Sequence, residues 1–158
     1  MTQHVETAVQ RTITVAAAPQ RAFEVFTAQL GRWWPKEFHI GAVEMADFVV
    51  EPKAGGRWYE VGVDGTQCEV GRVTSFDPPN SFVLAWQLNG SFQYDPDPAH
   101  ASEVEVRFIA AGPAQTRIEL EHRNFDRHGT DADAVRGSID SPRGWDYCLD
   151  LFAKYVAA

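Results

Sequence analysis

Cysteine is nearly absent. Cys68 and Cys148 stand far apart in 158 residues, and no CxxC pair occurs, which excludes a disulfide framework and the usual thiolate zinc or dithiol redox sites. Basic charge is short as well. Fourteen Lys and Arg face 22 Asp and Glu, a net charge of −8, so nucleic acid and anionic membranes are repelled over most of such a surface and are not expected as partners. No apolar run approaches the ~20 residues that span a bilayer. The opening MTQHVETAVQRTITVAAAP lacks the basic start and apolar stretch of a secretory leader, and a reducing cytoplasm is the expected compartment. There is no repeat, low-complexity tract or linker, so residues 1–158 read as one domain. There is also no Ser–His–Asp order, P-loop or dinucleotide glycine fingerprint.

Aromatic residues are plentiful, at 12% with five Trp, enough ring surface for a large core, a lined cavity, or both. Residues 9–15, VQRTITV, alternate as a strand, with Arg11 on the side of Val9, Ile13 and Val15. Ala18-Pro19 then opens a short helix carrying Ala22, Phe23, Phe26 and Leu30 at helical spacing, and Gly31 and Pro35 break it around the pair Trp33-Trp34. From 42 to 123 the period is two. Strands are predicted over 42–51, 57–63, 67–76, 81–88, 102–110 and 116–122, with a hairpin at Asp64-Gly65 and a polar loop over 89–101. In 102–110 and 116–122 one face is apolar (Val104, Val106, Phe108; Ile118, Leu120, His122) and the other charged, so the sheet is covered on one side only. Thr130 or Asp131 can cap a short helix. Ser141-Pro142 is predicted to start the last helix, whose stripe is Trp145, Cys148, Leu149, Phe152 and Val156.

The expected fold is therefore α+β: a curved antiparallel sheet of six to seven strands wrapped around a long C-terminal helix, with two short helices after the first strand. The stretches AAAPQRAFEVFT (16–27), LGRWWP (30–35), GGRWYEVGVDGT (55–66), VGRVTSFDPP (70–79), VLAW (83–86), VEVRF (104–108), TRIELEHRNFDRHG (116–129) and GWDYCLDLF (144–152) resemble the START-like helix-grip superfamily, also called SRPBCC. Within it they resemble the branch named for the activator of the heat-shock-protein-90 ATPase. That branch often has Trp before the glycine at position 71; here the residue is Val70, a departure expected to enlarge or reshape the interior. The resemblance implies a cavity between sheet and terminal helix and no fixed catalytic set. Members of the superfamily bind lipids, hormones or polyketides, and some are cyclases or ring hydroxylase subunits.

Candidate site residues follow from faces that converge. Trp33 reads as core, whereas Trp34, with Phe38 and His39, falls where the short helices meet the sheet, the mouth of such a cavity. Trp86 and Trp145 lie on opposing faces and either wall a pocket or fill it. His122, on the dry face, either orients a ligand or is a core histidine satisfied by backbone or a carboxylate. Trp58, Phe108 and Leu149 complete the ligand-binding set. Glu60 and Glu69 take no assigned role, because the inward face of their strands is undecided. The HRNFDRH spacing of His122 and His128 does not suit a metal, and no metal, cofactor or catalytic residue is assigned. Three functions stay open: a non-catalytic holder of a small apolar or aromatic molecule, a protein-interaction module that engages a chaperone or a copy of itself with its cavity filled, and an enzyme on a cyclic or polyketide-like substrate using His122 or an inward Glu.

Overall fold

The computed structural model describes residues 8–157. Residues 1–7 of the opening segment judged not to be a secretory leader lie outside the described residues. The elements run β1 (Val9–Val15), α1 (Pro19–Ala28), α2 (Leu30–Trp33), β2 (Met45–Val50), β3 (Arg57–Gly62), β4 (Gln67–Asp77), β5 (Ser81–Trp86), β6 (Ser102–Gly112), β7 (Gln115–Arg123), α3 (Ala132–Ile139) and α4 (Trp145–Ala157). Seven antiparallel strands form one curved sheet in the order β1-β7-β6-β5-β4-β3-β2. The chain leaves β1 through the two short helices, enters the sheet at its far edge and meanders back to pair β7 with β1.

Local chemistry sets the boundaries. Pro19 occupies the first turn of α1, where its missing N–H costs nothing. Trp34 precedes Pro35, which disfavours helical backbone, so Trp34 turns extended (φ −62°, ψ 138°) and α2 stops at Trp33. Gly31 lets α2 rest on β2: a Cβ there would lie 2.0 Å from Asp47 Oδ1 and 2.6 Å from the Phe48 nitrogen. The Asp64-Gly65 hairpin forms as expected, with Gly65 at φ +86° and the Asp64 carboxylate accepting from the Thr66 N–H at 3.0 Å.

Two predicted boundaries move by three residues, and the other strand ends by two or fewer. The strand expected from 42 starts at Met45, where pairing with Gly62 of β3 begins; the segment just before it is held by the Ile40 and Gly41 N–H groups, which donate to the Glu60 side chain. The last helix starts at Trp145 and not at Pro142. The Ser141 hydroxyl donates back to the Ser138 carbonyl at 2.8 Å, so it does not cap α4, and a turn closed by Gly144 N–H to the Ser141 carbonyl intervenes. Asp131 precedes α3 without a capping bond from its side chain, which instead accepts from the Gly90 N–H at 2.9 Å and fastens the 89–101 loop.

The concave face of the sheet is dry and its convex face is charged. Arg123 spans Glu103 and Glu105, Arg107 meets Glu105, and Arg117 meets Glu119. Such exposed pairs add at most about 1 kcal/mol each and chiefly keep the face wet. Arg11, on the apolar side of β1, reaches Asp140 at 2.7 Å and Asp146 at 2.6 Å and so ties the strand to both ends of the α3–α4 turn. The α4 stripe buries Trp145, Cys148, Leu149, Phe152 and Val156. The aromatic core divides in two along that helix. Phe23, Phe26, Phe82, Phe108 and Phe152 interlock at one end, with centroids 4.8 to 6.0 Å apart, joined by Trp33 against Phe26 and Phe152, and the other four tryptophans gather at the opposite end.

A tryptophan-lined cavity as candidate ligand site

At the tryptophan end five rings close on themselves. Trp34 packs on Phe48 (5.2 Å between centroids), Phe48 stacks on Trp58 (5.5 Å, 19° between planes), Trp58 meets Trp86 (5.8 Å), Trp86 meets Trp145 (6.1 Å), and Trp145 returns to Trp34 (5.8 Å). The five come from the α2 terminus, β2, β3, β5 and α4. All of them line one cavity of about 440 Å³, within the ~300–1,000 Å³ of small-molecule sites. Trp86 and Trp145 therefore both touch and wall a pocket, two arrangements that the sequence offered as alternatives. Val70, which stands where the resembled branch often has Trp, also lines it.

The mouth is built from Phe38, Phe92 and a polar cluster. Glu37 accepts from the Tyr147 hydroxyl at 2.9 Å and from Arg143 at 3.2 Å, and the Arg143 guanidinium lies 5.3 Å from the Phe38 ring centre and 5.0 Å from that of Tyr147. The Glu37 carboxyl is held below its usual range by its own backbone N–H and by the Tyr147 hydroxyl, whose own pKa the pairing raises. Phe92 is 47% exposed and sits at φ 58°, a left-handed conformation that bulky residues rarely accept.

Of the residues singled out from sequence, Trp34, Phe38, Trp58, Trp86 and Trp145 line the cavity together. Trp34 is a wall residue, 8% exposed, more than a rim residue. Trp33 is core, with its indole N–H donating to the Val25 carbonyl at 3.0 Å. Phe108, Leu149 and His122 are not among the lining residues. Phe108 belongs to the closed phenylalanine end, and Leu149 is buried in the stripe of α4.

His122 lies behind the wall. Its Nδ1 accepts from the Trp145 indole N–H at 3.2 Å, and its Nε2 is 2.8 Å from the Ser102 hydroxyl, which is 2.8 Å from His128 Nε2. An indole only donates, so the network assigns the His122 proton to Nε2, donated to Ser102, whose own proton goes to His128. Burial, and then the nearby His128, push the His122 pKa well below 6.5, and burial lowers that of His128 too. His122 is thus a neutral core histidine that braces a cavity tryptophan. Its partners are an indole and a hydroxyl, where backbone or a carboxylate had been expected.

The structure also settles β3. Trp58 and Glu60 point inward, while Arg57 and Tyr59 point out, where Arg57 pairs with Glu69. Glu60 is 2% exposed and lines the cavity. Its Oε1 accepts from the Ile40 N–H at 2.8 Å and its Oε2 from the Gly41 N–H at 2.7 Å. Sequence reasoning left Glu60 unassigned and did not single out Phe48, Phe92 or the Glu37–Arg143–Tyr147 cluster. Phe48 was readable as apolar, but its place in the ring of five was not. Among the described residues no three His, Cys, Asp or Glu side chains are placed to hold a metal ion, and no helix is long and apolar enough to cross a membrane.

Residues 16–157 match the family model described as Activator of Hsp90 ATPase homolog 1-like protein. The chain belongs to this family. Among solved structures, the anthrahydroquino-γ-pyrone synthase Txn09 is 38% identical over 93% of this chain and 95% of its own, with a TM-score of 0.67. The self-sacrificing resistance protein CalC from Micromonospora echinospora is 36% identical over 94% of this chain and 93% of its own, with a TM-score of 0.71. Protein NE0264 from Nitrosomonas europaea, 12% identical over 94% of this chain and 93% of its own with a TM-score of 0.64, shares the fold. No curated protein sequence matches the chain.

Proposed function

We propose that this family member binds a planar, polycyclic aromatic small molecule within the five-ring collar, between the sheet and α4. The carrying observation is the cavity of about 440 Å³ walled by Trp34, Trp58, Trp86 and Trp145. An interaction module with a filled interior needs no such space, and flat indole walls favour a flat guest through stacking and edge-to-face contacts, each about 0.5–1.5 kcal/mol beyond area burial. The name of one relative points the same way: it is an anthrahydroquino-γ-pyrone synthase. The reading is of a cytoplasmic binding protein acting as one domain.

The test is titration of intrinsic tryptophan fluorescence with 9,10-anthraquinone. Saturable quenching is expected, and Trp145→Ala and Trp86→Ala should each raise the Kd about ten-fold, the loss of one ring contact of ~1.4 kcal/mol. Absence of saturable quenching refutes binding, and unchanged affinity in both variants refutes the site.

A further inference from the structure

Among the buried residues that line the cavity, Glu60 is the one charged side chain. It is almost fully buried in the cavity wall, and among the described residues no Lys or Arg forms an ion pair with it. Each oxygen accepts one backbone N–H, from Ile40 and Gly41. A carboxylate offers about four acceptor positions, so two remain. A buried carboxylate without a counter-ion is costly unless further donors reach it, and in a low-dielectric pocket a hydroxyl donated to it makes a short, strong bond. The segment that carries Ile40 and Gly41 also carries Phe38 at the mouth. Gly41 is needed for that segment to close over the carboxyl group: a Cβ there would lie 2.9 Å from Glu60 Oε2.

We infer that Glu60 is the specificity-determining residue of the cavity, selecting aromatic ring systems that carry an acidic hydroxyl by accepting its hydrogen bond. This rests on the ligand-binding reading above. The ligand class is thereby narrowed from flat aromatics to polycyclic phenols: the collar takes the ring and Glu60 takes the hydroxyl. A site built to accept a hydroxyl rejects the analogue that lacks it, because the buried acceptor is then left short of a donor.

The experiment compares 2-hydroxyanthraquinone with 9,10-anthraquinone, which differ by one hydroxyl, against the full chain and its Glu60→Gln variant. The wild type should bind the hydroxylated probe at least about ten-fold more tightly, as expected for a hydrogen bond to a charged group, and the visible band of the bound probe should move to longer wavelength. Glu60→Gln should bring the affinity ratio close to one and abolish the band shift. A ratio near one in the wild type overturns the role of Glu60 and leaves aromatic binding standing. So does a Glu60→Gln protein that weakens both probes by the same factor, since Glu60 would then only tether the 40–41 backbone. Failure of both probes to bind the wild type overturns the binding reading and this inference together. If Glu60→Gln does not fold, the wild-type ratio and the band shift decide.

Discussion

Replacing His122 by phenylalanine separates its packing from its titration. The ring contacts remain: Trp86 lies 5.2 Å and Phe125 4.6 Å from the imidazole centre. Two hydrogen bonds are lost, but Ser102 keeps His128 as a partner. The Trp145 indole N–H is left as the unpaired buried group, a cost of about 1–3 kcal/mol at neutral pH. The pH dependence has a definite sign. The folded pKa of His122 lies well below 6.5 because burial disfavours the charged ring. The unfolded chain therefore binds a proton that the folded chain refuses, so stability is whole above pH ~6.5 and falls below it. Between pH 7.5 and pH 5.5 this residue alone lowers wild-type stability by about 1.4 kcal/mol. His128, lowered by burial, and His100, raised by Asp95, titrate in both proteins and cancel to first order. Urea unfolding at the two pH values should show the variant less stable at pH 7.5 and the gap narrowing by about 1.4 kcal/mol at pH 5.5. An equal loss on acidification in both proteins refutes the neutral, buried assignment of His122.

Val70→Trp should place an indole in the cavity between the collar rings, so the protein should keep its unfolding midpoint within a few degrees while saturable anthraquinone quenching disappears; retained binding would show that Val70 does not border the occupied space. The two thiols should differ sharply: burial pushes Cys148 up to about 12, while Cys68, raised by burial and then by Glu60, is only partly buried. Iodoacetamide at pH 8.5 should label Cys68 in the native protein and Cys148 only after denaturation, and mass mapping of native Cys148 adducts would contradict the buried stripe of α4.

Much of the architecture is local in origin. The seven residues of β1 alternate as their side chains predict, and the charged outer faces of β6 and β7 are written in Glu103, Glu105, Arg107 and Arg117, Glu119, Glu121. The stripe of α4 is the spacing of Trp145, Cys148, Leu149, Phe152 and Val156 and nothing more. Periodicity of this kind states which side of an element is dry, and one dry sheet face with one long amphipathic helix leaves few ways to pack.

The site needed the third dimension. In β3 both parities mix apolar and charged side chains, Trp58 with Glu60 and Arg57 with Tyr59, so the regular alternation of the strand does not by itself say which set faces inward. Only pairing with β4 and β2 turns Glu60 into the wall. The five rings of the collar come from positions 34, 48, 58, 86 and 145, and His122 meets Trp145 and Ser102 across 23 and 20 residues. The sequence alone determined the elements, their dry faces and the family they resemble, because those depend on neighbours within a turn or a pleat. The tertiary structure decided which rings meet, which carboxylate lies among them and which histidine stands behind the wall, because such contacts depend on the curvature of the sheet and the seating of one helix upon it.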